Sequence, residues 1–352
     1  MQFRNYLYPT RRALIEYYLN AIMEIYRLRK YFPLSGGILT FLKLKKIEYR
    51  KAVDDVTLSL LPGRTLVLVG ESGSGKTTLA RLMLRALDAD SGSIRYGGID
   101  ITRKTGKDLK NFRKKVQMIH QDPYTSLNPR MSILEIVKEP LDIFCKYYPK
   151  KERNEIALKT MEDVFLDPVV ETSMKRPNML SGGQRQRVAL ARALVLMPEL
   201  IIADEAVSML DVSIRAEILQ LMRKLSIERR ISYLYITHDL ATSRYIGDDI
   251  AVMYAGKIVE TGTIRDVLSE PLHPYTQILI QAVSEPDPKN LDSEKSIPVK
   301  SDSFAGLKVG CPFSNRCQFA MDICKVEPSL KEIGRNHRVS CYLYESPKPG
   351  IK

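Results

Sequence analysis

The feature that most constrains this fold is the segment Gly70–Thr77, which reads Gly-Glu-Ser-Gly-Ser-Gly-Lys-Thr and matches the phosphate-binding pattern G-x-x-x-x-G-K-[ST] in full. An apolar run, 65–69, precedes it and a helical pattern follows, which is the context that the pattern requires. Near-continuous apolar runs recur at 200–203 and 233–237, as expected of parallel strands buried on both faces. The segment therefore predicts an α/β fold whose central parallel sheet carries a phosphate-binding loop.

The residues of this loop have separate predicted tasks. The glycines let the backbone N–H groups face the phosphates, and the N-terminus of the following helix adds a favourable dipole. We expect the Lys76 amine to reach the β- and γ-phosphates of a nucleotide, and the Thr77 hydroxyl to ligate Mg²⁺. The predicted nucleotide-binding residues of the loop are Gly70, Glu71, Ser72, Gly73, Ser74, Gly75, Lys76, Thr77 and Thr78.

Two carboxylates, Asp204 and Glu205, follow directly on the apolar run 200–203. An acidic residue that emerges from a buried strand near a phosphate-binding loop is typical of an Mg²⁺ ligand, and we assign that role to Asp204. Glu205 is then placed to polarise an attacking water. Phosphoryl transfer needs mainly positioning and charge stabilisation, so these groups together predict a hydrolytic site.

A five-residue stretch, Leu180–Gln184, reads Leu-Ser-Gly-Gly-Gln and lies between the loop and the acidic pair. With this order of motifs, residues 22–262 resemble the ATP-binding-cassette ATPases. The resemblance implies a RecA-like P-loop NTPase core, with an antiparallel β subdomain and an inserted helical subdomain at about residues 122–197. It also implies that two cassettes share their sites, so that this signature stretch acts on the ATP of a partner. The residues implied in that action are Ser181, Gly182, Gly183, Gln184 and Asp211.

The same resemblance implies roles for three further residues. Tyr49 resembles the aromatic residue that stacks on adenine, and Gln121 resembles the glutamine that senses Mg²⁺ and couples to a membrane subunit. His238 resembles the switch histidine that contacts the γ-phosphate. The expected site is completed by Thr77, Gln121 and Asp204 as Mg²⁺ ligands and by Glu205 and His238 as catalytic residues.

Several other stretches narrow the class of cassette. Residues 121–131, 254–262 and 273–276 resemble the ATPases of oligopeptide and dipeptide importers. This resemblance implies an energy-coupling subunit that pairs with a homologous, non-identical cassette, two membrane-spanning permease subunits and, indirectly, an extracellular substrate-binding protein. It places the chain peripherally on the cytoplasmic face of the cell membrane. Importers of oligosaccharides or nickel share such ATPases, so the substrate stays open.

Charge and hydropathy bear on the alternatives. The net charge is +13, and residues 1–51 alone carry eleven Lys or Arg against three Glu. Such a balance suits nucleic acid, an anionic membrane surface or a solvated face. A nucleic-acid-linked cassette ATPase is one alternative, but the sequence lacks the tandem cassettes or long coiled-coil insertions usual in that class, so no nucleic acid is expected. No run of about 18 apolar residues and no signal peptide occur, which predicts neither a membrane span nor secretion.

Four of the five cysteines lie in the last 42 residues, with the spacing C-x5-C-x6-C-x16-C. The spacing lacks the C-x2-C pair of zinc ribbons and differs from common ferredoxins, so by itself it leaves a metal site, disulfides or free thiols open. The resemblance to peptide-importer ATPases implies a 4Fe–4S cluster, with zinc as the alternative and His337 as a competing zinc ligand. The implied cluster ligands are Cys311, Cys317, Cys324 and Cys341.

These signals divide the chain into four predicted parts. Residues 1–21 form an N-terminal extension, either a surface helix or the product of an upstream start, because Met23 is also a possible start. Residues 22–262 form the cassette, and residues 263–303 form a connecting region and linker. Residues 304–352 form a small cysteine-rich, metal-binding extension.

Overall fold

The computed structural model describes residues 21–34, 49–282, 310–334 and 336–344. Nearly all of the predicted N-terminal extension and the end of the linker lie outside these ranges, so the predictions made for them stay predictions. Within the described ranges, every helix is too short or too polar to span a membrane.

The strands form two sheets. The smaller sheet is antiparallel, with the order β2-β1-β4-β5, and the larger has the order β11-β12-β10-β9-β3-β8-β7-β6. The strands of the larger sheet from β9 to β6 run parallel to one another, and β3 lies between β8 and β9. The strands are β1 (Met23–Pro33), β2 (Tyr49–Leu60), β3 (Thr65–Val69), β4 (Ser91–Tyr96), β5 (Ile99–Asp100), β6 (Val116–Ile119), β7 (Leu200–Asp204), β8 (Ser232–Thr237), β9 (Asp249–Tyr254), β10 (Lys257–Thr263), β11 (Lys331–Gly334) and β12 (His337–Val339).

The parallel strands are the most deeply buried part of the molecule. Every residue of β3, β7 and β8 is buried, which confirms the prediction of a central parallel sheet covered on both faces. The carboxyl ends of parallel strands lie at one edge of a sheet, and ligands of such sheets bind there. The loops that follow these three strands therefore meet at the same edge, and they carry the predicted reacting groups.

The helices cover both faces of the larger sheet. Helices α4 to α7 lie between β6 and β7 in the sequence and pack against one another, as a helical insertion requires. The helices are α1 (Lys76–Met83), α2 (Gly106–Lys115), α3 (Pro123–Ser126), α4 (Ile133–Phe144), α5 (Lys150–Asp163), α6 (Val169–Met174), α7 (Gly182–Leu194), α8 (Val212–Arg229), α9 (Leu240–Ile246), α10 (Ile264–Ser269) and α11 (Pro274–Gln281).

Two apolar cores lie on opposite faces of the larger sheet. One joins the antiparallel sheet to α1 and includes Leu28, Leu79 and Leu234. The other lies under the inserted helices and includes Val137 and Val188. Burial of each such side chain contributes about 1.5–3 kcal/mol relative to exposure, so the sheet holds both subdomains against it.

Helix α2 is the main element that the sequence did not predict, since residues 91–121 read only as short strands and turns. Its sequence is strongly polar, and Phe112 is its one buried residue. A helix that buries a single side chain shows no 3.6-residue apolar period, which is the signal that sequence patterns depend on. The helix predicted after the phosphate-binding loop is present as α1, which ends at Met83.

The C-terminal cysteine-bearing segment returns to the cassette after the undescribed stretch. Its strand β12 pairs antiparallel with β10, which adds β11 and β12 to the edge of the larger sheet. Phe313 is buried against the rings of Tyr254 and Tyr275, with ring centroids 5.3 and 5.5 Å away. This segment is therefore packed beside the carboxyl ends of the strands, close to the phosphate-binding loop.

Candidate active site

The phosphate-binding loop is shaped by its contacts with neighbouring strands. Gly75 precedes α1 with φ +110°, and a Cβ there would lie 2.0 Å from the carbonyl oxygen of Ala52 in β2. Only glycine fits such a position. No side chain caps the N-terminus of α1, so its first N–H groups are left for an external acceptor. An uncapped helix start with a glycine loop is suited to bind phosphate.

The Lys76 side chain is folded into its own loop. Its amine donates to the carbonyl oxygens of Gly70 at 2.7 Å and Glu71 at 2.9 Å, and the residue is 6% exposed. Burial lowers the pKa of this amine, although the carboxylates of Glu205 and Asp204 oppose that shift. A phosphate oxygen would give the ammonium a charged acceptor, which is stronger than these carbonyls.

Asp204 and Thr77 bring two oxygen atoms together at the end of β7. The Thr77 hydroxyl donates to the Asp204 carboxylate at 3.3 Å. Asp204 is 5% exposed, and its pKa is raised mainly by burial and by the nearby charge of Glu205. A hydroxyl and a carboxylate in a buried, anionic setting are the kind of oxygen donors that Mg²⁺ takes. The pair therefore fits the predicted ion.

Glu205 lies at the centre of a second cluster. Its carboxylate accepts a hydrogen bond from the Gln121 side-chain amide at 2.7 Å and lies 3.4 Å from the imidazole nitrogen Nδ1 of His238. The backbone of Glu205 is left-handed, with φ +49°, and its N–H donates to the Ile236 carbonyl of β8 at 2.9 Å. Such strained conformations cluster at functional sites. The structure brings Gln121 to Glu205 directly, whereas the sequence predicted it as an Mg²⁺ ligand beside Asp204.

Tyr49 and the adjoining Arg50 begin β2 beside the loop. The Tyr49 side chain is 55% exposed, which leaves a ring face free for stacking. The Arg50 guanidinium donates to the carbonyl oxygen of Gly73 at 3.1 Å, which places the start of β2 next to the phosphate-binding loop. This position is compatible with the predicted adenine contact.

The signature stretch forms the start of α7. Ser181 caps the helix by accepting from the N–H of Gln184 at 3.3 Å, and the Gln184 side chain accepts from the N–H of Ser181 at 3.0 Å. This is a reciprocal capping box. The side-chain hydrogen bonds of both residues thus stay within the first turn of α7, and within the described residues they make none to the phosphate-binding loop.

The two glycines of this stretch differ in their surroundings. A Cβ on Gly183 would lie 2.5 Å from the Ile214 side chain of α8, so this glycine is needed for packing inside the chain. A Cβ on Gly182 would meet its nearest atom, in Leu210, at 3.6 Å, which is an ordinary contact. The fold of this chain therefore gives no steric reason for glycine at 182.

Asp211, predicted to cross to a partner, is also the N-cap of α8. Its carboxylate accepts from the N–H of Ile214 at 3.0 Å and from the Ser213 hydroxyl at 3.0 Å. These hydrogen bonds hold the pKa of the Asp211 carboxyl below its usual value. This capping task was not predicted from the sequence, although Asp directly before a helical period is a known start signal.

Two residues near the loop were missed by the sequence analysis. The Tyr275 hydroxyl accepts from the backbone N–H of Glu71 at 2.7 Å. The Arg316 guanidinium forms two parallel hydrogen bonds with the Glu71 carboxylate, at 2.9 and 3.0 Å. Both lie about 200 or more residues beyond the loop, and no local pattern links so distant a residue to it.

The four C-terminal cysteines line one small recess, together with His273 and Phe313. All four are free of disulfides, and burial raises the pKa of the Cys311 thiol to about 11. Across the described residues, however, no three or more His, Cys, Asp or Glu side chains are arranged to hold a metal ion. The prediction of a metal-binding extension is therefore not supported. A single zinc would need its thiolates at about 2.3 Å from one point, and the described side chains are not arranged in that way.

A groove of about 310 Å³ opens where the inserted helices meet β6, just before Gln121. Apolar residues of α4 and β6, including Met118 and Phe144, line it. Arg192 and Glu139 lie at the same groove and pair at 2.7 Å. The groove thus combines an apolar floor with charged groups, beside a residue that contacts Glu205.

Comparison with known proteins agrees with this geometry. Residues 53–208 match the ABC transporter family, and residues 259–324 match the C-terminal region of oligopeptide/dipeptide transporters. The oligopeptide transport ATP-binding protein AppF of Bacillus subtilis is 42% identical over 327 residues, or 92% of this chain and 97% of that protein. The oligopeptide transport ATP-binding protein OppF of Streptococcus mutans is 47% identical over 260 residues, or 74% of this chain and 83% of that protein.

Solved structures with the same fold include a dimeric ATP-binding cassette in a post-hydrolysis state, bound to ADP and Pi. It superposes with a TM-score of 0.60 at 27% identity, and the match covers 69% of this chain and 99% of that one. The similarity therefore extends over the whole of that cassette, while the remaining part of this chain lies beyond it.

Proposed function

Since this chain belongs to the ATP-binding subunits of the oligopeptide/dipeptide ABC transporters, we propose that it hydrolyses ATP to drive peptide import through membrane-spanning partners. The observation that carries the proposal is the meeting of Lys76, Asp204 and Glu205 at the carboxyl edge of the parallel sheet. Relatives named as oligopeptide transport ATP-binding proteins cover most of the chain, which supports peptide as the transported substrate.

In the proposed reaction, the loop and the N-terminus of α1 bind the phosphates, and Lys76 turns from its own carbonyls to the γ-phosphate. Thr77 and Asp204 would hold Mg²⁺, whose charge offsets that of the phosphates. Glu205 orients and polarises the attacking water, and its hydrogen bond with Gln121 fixes the direction of the carboxylate. His238, whose side chain is 61% exposed and lies 3.4 Å from the Glu205 carboxylate, would contact the γ-phosphate.

We assign the signature stretch to the ATP of a second cassette. The support is Gly182. Contacts within this chain leave room for a side chain at this position, so the reason for glycine would be a close contact with a group outside the chain. Ser181, Gln184 and Asp211 belong to the same assignment, whereas Gly183 is buried against Ile214 and serves the packing of α7. We propose a homologous, non-identical cassette as the partner, as the resemblance to peptide-importer ATPases implies. Two different relatives of this chain, AppF and YkfD, occur in Bacillus subtilis, which is compatible with such a pair.

The groove beside Gln121 is the proposed contact with the permease. Its apolar floor and the charges of Arg192 and Glu139 suit an amphipathic helix at the membrane surface. Gln121 directly follows His120, which lines this groove, and its side chain contacts Glu205, so movement of the helix and hydrolysis would be coupled through this short segment. The chain would then lie peripherally on the cytoplasmic face of the membrane, and an extracellular binding protein would deliver the peptide to the permease.

For the cysteine extension we propose an iron–sulfur cluster held by Cys311, Cys317, Cys324 and Cys341, with zinc as the alternative. The support is that four thiols line one recess, which is the donor set that such clusters take. The thiolate ligands of a cluster of several irons lie farther apart than the ligands of one ion. The lack of a single-ion arrangement among the described residues therefore counts more strongly against zinc than against an iron–sulfur cluster. Absorbance near 400 nm with iron bound supports the cluster, whereas bound zinc, or no metal in anaerobically purified protein, rejects it.

The central test is the Glu205→Gln variant in the complex reconstituted with its partners. We expect the turnover of ATP to fall roughly 10²- to 10⁴-fold, as for loss of a general base, while ATP still binds. Glu228→Gln on α8, an exposed carboxylate outside the site, is the matched control and should hydrolyse ATP normally. Near-normal hydrolysis in Glu205→Gln would contradict the assignment.

A second experiment tests the transported substrate. We expect the ATPase activity of the complex to be stimulated by a binding protein loaded with peptide, but not by one loaded with nickel or an oligosaccharide.

A further inference from the structure

The second residue of the phosphate-binding loop is tied to the cysteine-bearing segment. Both oxygens of the Glu71 carboxylate are engaged by the two terminal nitrogens of Arg316, at 2.9 and 3.0 Å. The Arg316 side chain is only 18% exposed and that of Glu71 is 30% exposed. A planar, two-bond arrangement fixes orientation as well as distance, which a single ion pair does not.

The Arg316 guanidinium is itself held in place by aromatic rings. It lies 5.8 Å from the ring centroid of Tyr254 and 5.6 Å from that of Phe313, and it donates to the Tyr254 hydroxyl at 3.4 Å. Phe313 also packs on Tyr275, whose hydroxyl accepts from the backbone N–H of Glu71. The side chain and the backbone of Glu71 are therefore both anchored to one aromatic cluster.

We propose that Arg316 is a positioning residue of the nucleotide site, so that the cysteine-bearing segment sets the ATP affinity of this chain. The inference rests on the proposed function, because it concerns the same loop. It assigns to the C-terminal segment a task in nucleotide binding that is separate from whatever the thiols hold.

The physical basis is charge and backbone position. The Glu71 carbonyl accepts from Lys76 while its N–H is fixed by Tyr275, so this residue sets where the first half of the loop lies. Its carboxylate is an anion beside a site for polyanionic phosphates. Arg316 neutralises that anion and directs it away toward the aromatic cluster. Without Arg316, the free carboxylate would repel the phosphates and the loop would lose one anchor.

The segment that carries Arg316 is attached to the cassette at other points as well. Lys257 of β10 pairs with Glu327 at 2.5 Å, and the buried carboxylate of Glu260 lies 2.7 Å from the His337 imidazole. Arg316 directly precedes Cys317, one of the thiols of the recess. A change at the thiols would therefore reach the loop through Arg316, and through Phe313 by way of Tyr275, while the other attachments keep the segment in place.

The test measures ATP affinity on the full-length chain with Mg²⁺ at protein concentrations too low for dimerisation. Arg316→Gln should raise the Kd for ATP roughly three- to tenfold, since the pair is partly solvent-screened. Arg316→Lys keeps the positive charge but cannot form two parallel hydrogen bonds, so its Kd for ATP should lie between those of the wild type and Arg316→Gln. At saturating ATP, kcat in the reconstituted complex should stay unchanged, whereas KM rises.

Two further variants separate positioning from general loosening. Glu327→Gln removes another attachment of the same segment and should leave the Kd for ATP unchanged. In a Glu71→Gln background, Arg316→Gln should have little further effect, because the carboxylate that it would release is gone. Melting curves for each variant establish that the chain is folded under the conditions of the binding measurement.

The inference is overturned by an unchanged Kd in folded Arg316→Gln, by an equal rise in Glu327→Gln, or by an effect of Arg316→Gln that persists in the Glu71→Gln background. These results would leave the proposed function intact. Failure of the wild-type chain to bind ATP at all would instead contradict the proposed function.

Discussion

The N-termini of α1 and α7 are the two glycine-bearing helix starts that the sequence assigns to phosphate, and they are built in opposite ways. Helix α1 has no side-chain cap, and its N-cap Gly75 is locked against β2. Helix α7 is capped twice over by its own Ser181 and Gln184. The start of α1 has no side-chain hydrogen bond to its N–H groups, whereas the start of α7 has a reciprocal pair of its own.

The difference supports the proposal that α1, and not α7, binds nucleotide without a partner. An uncapped helix leaves several N–H donors without side-chain acceptors, and these donors can bind a phosphate. A capped helix can present a phosphate-binding surface without depending on it for stability. This suits a surface that meets ATP only when a second cassette delivers it.

The two starts also differ in what supports them. The loop before α1 is held from outside by β2, by Tyr275 and by Arg316. The start of α7 is held by its own first turn and by packing on α8. Changes in distant parts of the chain should therefore reach the first start and leave the second unchanged.

Gly75→Ala should give the largest effect. Gly75 has a positive φ, and the new Cβ would collide with the carbonyl oxygen of Ala52. The loop must therefore move, and its N–H groups would no longer point at the phosphates. Loss of about two charge-assisted hydrogen bonds predicts a roughly 10²- to 10⁴-fold weaker Kd for ATP, measured by titration calorimetry. Gly97→Ala is the matched control, since Gly97 also has a positive φ but open space around it. Tight ATP binding by Gly75→Ala would show that α1 does not depend on this lock.

The second prediction concerns acid and the support beneath the loop. The His273 imidazole is 1% exposed and accepts from the N–H of Tyr275, and burial lowers its pKa to about 4. Between about pH 6.5 and 4 the unfolded chain binds a proton that the folded chain does not. The free energy of unfolding should therefore fall as the pH drops through that window, by about 3 kcal/mol at its lower end.

His273→Asn provides the comparison for this pH dependence, because asparagine can accept the same backbone hydrogen bond without titrating. Denaturant unfolding at several pH values should show a flatter profile for the variant. The pKa of His120 is also lowered by burial, so the difference between the two profiles is the quantity that counts. Parallel profiles would show that His273 does not carry this dependence.

The sequence predicted the features formed by consecutive residues and missed the contacts between residues far apart in the chain. The phosphate-binding loop, its strand and the apolar runs of β7 and β8 are each written in consecutive residues, and the structure has them there. Tyr275 and Arg316 reach Glu71 from 204 and 245 residues away, and pairing of that kind depends on the fold as a whole. The polar helix α2 was missed because Phe112 alone marks its buried face.

The signature glycines show a further limit of sequence patterns. Gly182 and Gly183 were both predicted, as part of the signature stretch, to act on the ATP of a partner. The structure separates them, since only Gly183 has a neighbour, Ile214, that excludes a side chain. A pattern records that glycine is present but not which contact requires it.

Gly182→Ala follows as the third prediction. Alanine fits inside the chain and favours a helix over glycine, so the variant should fold with equal or slightly higher stability and bind ATP normally. Hydrolysis by the paired cassettes should fall roughly 10- to 100-fold, the equivalent of one charge-assisted hydrogen bond. Gly183→Ala, which collides with Ile214, should instead lower stability. Full ATPase activity of Gly182→Ala in the reconstituted complex would argue against a partner's phosphate at this surface.

Ser181→Ala should change the isolated chain only slightly. It removes the cap of α7, which predicts a loss of about 1 kcal/mol in the free energy of unfolding and no change in the Kd for ATP. Ser181→Asp keeps a capping oxygen but adds a negative charge where the partner's phosphate would approach. It should keep the wild-type stability in denaturant titrations and lower ATPase activity only in the complex. If both variants lost the same stability, the capping box would not hold this helix start, and the contrast between α7 and α1 would reduce to glycine sterics.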